Sequence, residues 1–434
     1  MWAFSSFVII ENLLSGVLMK NTFTEATVLL TPEAKLQIDS WLVSQDSNTI
    51  PEGLDNLIEQ GFVIKAGMNE FEEWRSLMIA TRDGEAHVFT LHFEPTLKCQ
   101  LECSYCFENG AERGRVMSQQ VLFGSLEWLH NYFTNNKEVD SFRLKFFGGE
   151  PLLCKKLVIQ ASGAYQELCR EHNLDFWTEV TTNGELLDKE IAKALSAFNW
   201  KRVQITLDGP ADIHDARRFG RNGRPTFANI VKNIRMLLSA DCIQTVDIRL
   251  TLDSGTKDHL CRLIDELDGL GEHSRIHLSL GLTTPSISVV LGCMTQEQLA
   301  DAALATWEYA KEKWFEIPEE FTAGPLCIAT AKHSAVLQPN GSLQKCFCTS
   351  GRQNFDFANI AVMPAGYTKD PRFEHWKRTN DCIKEHCAYL PVCGGGCSFE
   401  AFVADGTEHG GKNRFCQKIL LDRMNRGLLK LRYS

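Results

Sequence analysis

From Val88 onward the chain alternates strand-like and helix-like segments, and this alternation restricts the fold more than any other feature of the 434 residues. Strands are predicted at Val88–Phe93, Ser141–Phe147, Phe176–Thr182, Arg202–Leu207, Thr245–Leu252 and Ile276–Leu282. Helices are predicted between and after them, at Ser118–Phe133, Leu153–His172, Lys189–Phe198, Phe227–Leu238, Lys257–Leu270 and Thr295–Phe315. In the first helix Leu122, Leu126, Leu129 and Phe133 recur at helical spacing, which gives it one core-facing stripe. Alternation of this kind implies parallel strands joined by right-handed crossovers. The predicted fold class is α/β, an incomplete parallel (β/α)6 barrel whose ligands lie at the carboxyl ends of the strands.

The strand ends carry the chemistry. Directly after the first strand comes Cys99-Gln-Leu-Glu-Cys103-Ser-Tyr-Cys106, a Cys-x3-Cys-x2-Cys run. Three thiolates on one tight loop suit three irons of a 4Fe–4S cube and leave the fourth iron open. A pure electron carrier closes its cluster with four protein ligands, so an open iron fits an enzyme in which a small molecule chelates the cluster. Zinc is the alternative, but a structural zinc site needs a fourth ligand and commonly pairs two knuckles. His92, upstream, reads as a strand residue. The second strand runs into Gly148-Gly149-Glu150-Pro151. Two glycines let the backbone approach a ligand, and exposed amides beside a carboxylate can receive an ammonium group. The third strand closes in Thr181-Thr-Asn183-Gly184. The fourth closes in Thr206-Leu-Asp208-Gly-Pro210 and is followed by Ile213-His-Asp-Ala-Arg-Arg218. Singly, each of these reads as a turn with side-chain-to-backbone hydrogen bonds.

Taken together, these segments resemble the radical S-adenosylmethionine (radical SAM) superfamily. The resemblance implies that Cys99, Cys103 and Cys106 hold a 4Fe–4S cluster whose open iron binds the amino and carboxylate groups of SAM. It implies that Tyr105 lies against the adenine and that Gly148, Gly149, Glu150 and Pro151 hold the SAM amino group. Asn183, Thr206, Asp208 and Arg249 are candidate contacts to the SAM carboxylate, the ribose or the substrate, while His214 reads as structural.

After Phe321 the alternation stops. Cys327, Gly341-Ser-Leu-Gln-Lys-Cys346, then Cys382, Cys387, Cys393, Cys397 and Cys416 resemble the SPASM extension, which binds two auxiliary 4Fe–4S clusters. The resemblance places Cys327, Cys346 and Cys397 on one cluster, and Cys382, Cys387, Cys393 and Cys416 on the other, three clusters in all. One departure is the four residues between Cys382 and Cys387, where the family commonly has two. The fourth ligand of the first auxiliary cluster is Cys348, Cys293 or an open position. Cys154, Cys169, Cys242 and Cys261 read as buried small hydrophobes.

A net charge of −10 without a basic stripe argues against a nucleic-acid or anionic-membrane surface. Sixteen cysteines in metal-like spacings point to a reducing cytoplasmic interior rather than to a disulfide framework. Residues 1–18 mimic a signal peptide weakly but lack a basic leader, and they are expected to be an extension from a misassigned start ahead of Met19. A small α+β module follows over 19–86, with a strand at Ala26–Leu30, a helix capped by Thr31, further helices at Leu54–Gln60 and Asn69–Ile79, and a short strand at Gly61–Ile64. The partial barrel covers 87–315, and a cysteine-rich iron–sulfur domain covers 316–434.

The resemblance implies an oxidoreductase that cleaves SAM to a 5′-deoxyadenosyl radical and abstracts hydrogen from a ribosomally synthesised precursor peptide. The product carries a cross-link, a thioether or a backbone rearrangement. The alternative is an anaerobic sulfatase-maturing enzyme that forms formylglycine. A non-enzyme alternative, an iron–sulfur carrier or zinc-stabilised scaffold, accounts for the cysteines but not for the open triplet beside Gly-Gly-Glu-Pro. The expected partners are the precursor peptide, a separate peptide-recognition protein, and a low-potential donor such as flavodoxin or ferredoxin. Neither nucleic acid nor membrane is expected.

Overall fold

The computed structural model describes residues 1–45, 51–80, 87–106, 115–240, 243, 245–282, 294–318, 327–362, 382, 385–406 and 416–433. Cys242 and Cys293 fall outside these residues. The chain divides into two compact units, Met1–Thr81 with Pro318–Leu326 and His375–Ser434, and Arg82–Ile317 with Cys327–Glu374.

The first unit begins at the N-terminus itself. Strands β1 (Trp2–Phe4), β2 (Val8–Leu13), β3 (Gly16–Asn21) and β4 (Thr27–Leu30) precede helices α1 (Pro32–Ser44) and α2 (Leu54–Glu59), strand β5 (Val63–Lys65) and helix α3 (Glu70–Ala80). β2, β3 and β4 form an antiparallel sheet with β3 in the centre, and β1 pairs antiparallel with β5. Residues 1–18, expected as an extension ahead of Met19, form β1, β2 and the start of β3. Phe7 is fully buried in an apolar cluster with Phe71, Trp74, Tyr389 and Leu429, and Met19 is fully buried in a second one. Each such side chain contributes about 1.5–3 kcal/mol by leaving water. β3 is buried along its whole length, Lys20 and Asn21 included, so Gly16 to Met19 read as an unbroken apolar run without the alternation that marks a half-exposed strand. Thr31 caps α1 as expected, its hydroxyl accepting from Ala34 N–H at 3.1 Å.

In the second unit the six predicted strands appear as β6 (Val88–Phe93), β7 (Ser141–Phe146), β8 (Asp175–Thr182), β9 (Trp200–Leu207), β10 (Thr245–Leu252) and β11 (Ile276–Leu282). Each pairing between neighbours in this set is parallel. Helices α4 (Gln119–Asn135), α5 (Lys155–His172), α6 (Lys189–Ser196), α7 (Ala211–Arg217), α8 (Phe227–Ser239), α9 (Leu260–Asp268) and α10 (Gln296–Glu312) follow in chain order, α7 being an addition to the predicted set. Three short strands, β12 (Ser334–Leu337), β13 (Ser342–Gln344) and β14 (Ala358–Asn359), extend the sheet to nine in the order β11-β10-β9-β8-β7-β6-β12-β13-β14. Phe89, Leu91, Phe142, Leu144 and Phe146 are fully buried, and Phe142 meets Tyr165 of α5 at 5.5 Å between rings, so this sheet face is the core beneath the helices.

The sequence reading drew one cysteine-rich domain over 316–434, and packing divides that stretch. Residues 327–374 go with the barrel because β12 pairs in parallel with β6. Residues from 375 go with the N-terminal module, where Tyr389, Leu390 and Leu421 pack on Phe7 and Trp74. Among the described residues no helix is long and apolar enough to cross a membrane.

Candidate functional site

The cysteine loop is held by the backbone of the Gly-Gly-Glu-Pro turn. Gly149 N–H donates to Thr96 O at 3.2 Å and Glu150 N–H to Lys98 O at 2.8 Å. A Cβ on Gly148, whose φ is +112°, would stand 2.5 Å from Thr96 O, and one on Gly149 would stand 2.4 Å from Lys98 O. The close approach for which glycine is required here is therefore chain to chain. The two glycines seat the segment leading into Cys99 directly on the end of β7. On its far side the loop is tied by Glu102 N–H to Phe219 O at 2.9 Å.

Glu150 braces two strand ends. Its carboxylate is fully buried and accepts Leu152 N–H at 2.9 Å, the Thr182 hydroxyl at 2.8 Å and Asn183 N–H at 2.8 Å. Burial outweighs these donors and pushes its pKa up to about 6. Asn183 relays the brace to the cysteines: its Nδ2 approaches Cys99 Sγ at 3.6 Å, and its Oδ1 accepts from Gln100 at 3.1 Å. Leu101 N–H points at the same sulfur at 3.4 Å. Burial pushes the Cys99 thiol up to about 12, so the two N–H dipoles aimed at it favour the thiolate that a metal would enforce. Pro151 is buried and opens a single helical turn, Pro151–Cys154.

Glu150→Gln places an amide where three donors converge, a mismatch worth about 1–3 kcal/mol. Because the folded-state pKa is raised, the Glu150 contribution is fully present below the ordinary carboxylate value and is lost as pH rises through about 6. Thermal melts on either side of pH 6 should show this slope in the native chain and not in the Gln variant. The SAM dissociation constant of the variant should rise while its iron content stays intact. An unchanged dissociation constant limits Gly148 to Pro151 to a structural turn.

Tyr105 occupies a charged cage. Its hydroxyl donates to Asp208 Oδ2 at 2.5 Å and accepts from Arg218 Nη1 at 2.8 Å, and the Arg217 guanidinium lies 5.0 Å from the ring centre. Asp208, fully buried, also accepts from Arg217 Nε at 2.9 Å and from the Thr251 hydroxyl at 2.9 Å. Although burial alone would raise it, the Arg218 and Arg217 cations hold the Asp208 carboxyl below its ordinary value. Asp253 takes the other end of Arg217 at 2.6 Å. His214 is fully buried with Nδ1 3.4 Å from Asp208 N–H and its ring 5.4 Å from that of Phe227.

Away from the helices, the other face of the sheet is polar. Glu179 faces Arg143 at 3.6 Å and Lys145 at 4.0 Å, and Asp247 accepts from Gln204 and Ser279 at 2.7 Å and pairs with Arg202. Thr206 and Arg249 are register partners on β9 and β10. Arg249 is exposed and has no ion-pair partner among the described residues; Gly281 leaves room for it, since a Cβ there would come within 2.6 Å of its Nε. The structure thus gathers Cys99, Tyr105, Gly148 to Pro151, Asn183 and Asp208 at the strand ends. Sequence reasoning missed Gln100, Thr182, Thr251, Arg217 and Arg218 as members of this set, although the Arg-Arg pair lay within a segment it had marked.

The remaining cysteines separate by unit. Cys387, Cys393 and Cys416 belong to the first unit. The Cys387 and Cys393 thiols are raised, by burial first and also by the neighbouring thiols. Cys382 joins the same apolar cluster, its carbonyl accepting Cys387 N–H at 3.1 Å. Cys327 and Cys346 belong to the second unit, while Cys397, which leads into helix Ser398–Asp405, belongs to the first. Cys346 is hydrogen-bonded to Cys348 across the short turn Phe347–Thr349. Burial and the neighbouring Cys346 push the Cys327 thiol up to about 11. Among the described residues no three His, Cys, Asp or Glu side chains converge closely enough to hold a single ion, whereas a cube takes one thiolate at each iron and needs a wider set. At Cys99 a loop thiol flanked by two N–H donors fits the cluster of the Cys-x3-Cys-x2-Cys loop.

The radical SAM superfamily profile matches residues 93–267. The radical SAM cyclopropyl synthase TigE of Paramaledivibacter caminithermalis is 24% identical over 44% of this chain and 42% of its own. A cysteine-type anaerobic sulfatase-maturating enzyme of Clostridium perfringens is 32% identical over 30% of this chain and 36% of its own. The matched segments thus span about two fifths of the length of these curated relatives. Streptococcus suis SuiB, solved with its precursor peptide SuiA, superposes with a TM-score of 0.52 at 14% identity, over 96% of this chain and 99% of SuiB, a likeness of fold.

Proposed function

We propose that this chain, a member of the radical SAM superfamily through residues 93–267 and related to the SPASM-type maturases, is an oxidoreductase that modifies a ribosomally made precursor peptide. The observation that carries the reading is the seating of the three-thiol loop: Gly148 and Gly149 admit its backbone, Glu150 ties the adjoining strand ends, and Asn183 and Leu101 aim N–H groups at Cys99. A 4Fe–4S cluster with SAM at this loop supplies one-electron cleavage of SAM and abstraction of a substrate hydrogen atom. The chain's own residues do the positioning. Arg218, Arg217 and Asp208 fix Tyr105 between the second and third cysteines, and the charged inner face with exposed Arg249 takes the polar groups of the substrate.

Peptide as substrate is supported by the relatives and by β4. This strand is at the edge of its three-stranded sheet, and an extended peptide can add a strand to such an edge. Cys327, Cys346 and Cys397, and Cys382, Cys387, Cys393 and Cys416, are the proposed holders of two auxiliary clusters that accept the electron released from the substrate. A flavodoxin- or ferredoxin-type donor is the proposed electron source. The second reading, a sulfatase-maturing activity on a Cys or Ser side chain, is favoured by the 32% identity to the Clostridium perfringens enzyme.

The test is anaerobic reconstitution followed by reduction in the presence of SAM. Methionine and 5′-deoxyadenosine should form, and a peptide encoded beside the gene should change mass, whereas a sulfatase-derived peptide should not. Formylglycine on the sulfatase peptide alone would establish the second reading, and no SAM cleavage at all would end both.

A further inference from the structure

Lys345 is fully buried, yet it directly precedes Cys346. Its ammonium donates to Ala331 O at 2.6 Å, Ser334 O at 2.9 Å and the Ser334 hydroxyl at 2.7 Å. Ala331 closes the turn that starts at Cys327, its N–H donating to Cys327 O at 3.0 Å. The same ammonium therefore pins the Cys327 turn to the end of β13, where Cys346 follows.

An ammonium held out of water by hydrogen bonds keeps its charge in a fixed place. Resting on the auxiliary-cluster reading above, we infer that Lys345 is the fixed cation of the first auxiliary cluster, holding Cys327 and Cys346 in register and raising the reduction potential of the cluster they carry. A positive charge buried beside a cluster stabilises its reduced, more negative form, and charge and hydrogen bonding near the sulfurs are among the main determinants of such potentials. The lysine is a positioning residue.

The experiment is an EPR-monitored redox titration of the reconstituted full chain, with iron counted in parallel. The signal of interest is the one that disappears in Cys346→Ala. Lys345→Met keeps the length and removes the charge, and at a fixed poise its reduced-to-oxidised ratio should fall about tenfold, equal to about 59 mV for a one-electron couple. Lys345→Arg should stay close to the native value. A Met variant with full iron and an unmoved potential overturns the inference. If the Met variant does not load the cluster and the Arg variant does, the charge is needed for assembly and the inference stands. Equal failure of both assigns Lys345 to packing and overturns it. A native chain that binds only the one cluster at Cys99 defeats the auxiliary-cluster reading itself, an outcome separate from an unmoved potential.

Discussion

Alanine at Cys99, Cys103 and Cys106 together should remove one cluster's worth of iron and abolish reductive SAM cleavage, while the protein still folds. The persistence of the fold follows from what anchors the loop. Its ties are backbone hydrogen bonds, Glu150 N–H to Lys98 O and Glu102 N–H to Phe219 O, and an antiparallel bridge between Leu101 and Gly220, none of which needs a thiol. What alanine removes at Cys99 is a pair of weak N–H to sulfur bonds, each worth well under the roughly 1 kcal/mol of an ordinary hydrogen bond. The melting profile should therefore stay near that of the native chain while activity goes to background. Any 5′-deoxyadenosine formed by the triple variant would remove the radical SAM assignment of this loop. A variant that failed to fold would show the loop to be a structural staple, contrary to the hydrogen-bond pattern.

The strands were legible for a plain reason: in β6, β7 and β10 apolar residues alternate with polar ones, and most of the polar set lines the inner face. Phe142, Leu144 and Phe146 go to the helices while Arg143 and Lys145 meet Glu179. β3 was illegible because it is buried on both sides, and β12 to β14 because strands of four residues or fewer in cysteine-rich sequence carry too little pattern.

At the site, spacing located the thiols but did not show the chain-to-chain approach that the glycines permit. The Gly-Gly pair was expected to admit a ligand, and the atoms that a side chain would strike belong to Thr96, Leu97 and Lys98. The Arg217–Arg218 pair was equally out of reach. The segment Ile213–Arg218 was marked as a whole, and only tertiary structure shows that Arg217 lies against Asp253 and Asp208 and Arg218 against Tyr105. Lys345 carries the same lesson, since no sequence pattern separates a buried lysine from an exposed one.

Asp208→Asn should be the most destabilising single substitution at the site. The carboxylate accepts from the Tyr105 hydroxyl, Arg217 Nε and the Thr251 hydroxyl, with Arg218 Nη1 at 3.9 Å. An amide removes the negative charge and turns an NH2 toward one of these donors, leaving the cationic pair with Asp253 alone for Arg217. Removing one partner of a buried ion pair costs roughly 3–5 kcal/mol, whereas Thr251→Ala, which deletes one neutral donor, should cost about 1 kcal/mol. The pH dependence separates charge from shape. The folded-state value of Asp208 is held below the ordinary carboxylate value, so its contribution is present above that value and is lost as pH falls through the lower one. Denaturant midpoints of native and variant chains should therefore lie far apart near neutrality and converge only in acid. Tyr105 sits between Cys103 and Cys106, so release of its hydroxyl should also lower SAM cleavage at full iron content. Equal midpoints near neutrality would mean that solvent already screens these charges, and Tyr105 would then be held by packing rather than by the Asp208 carboxylate.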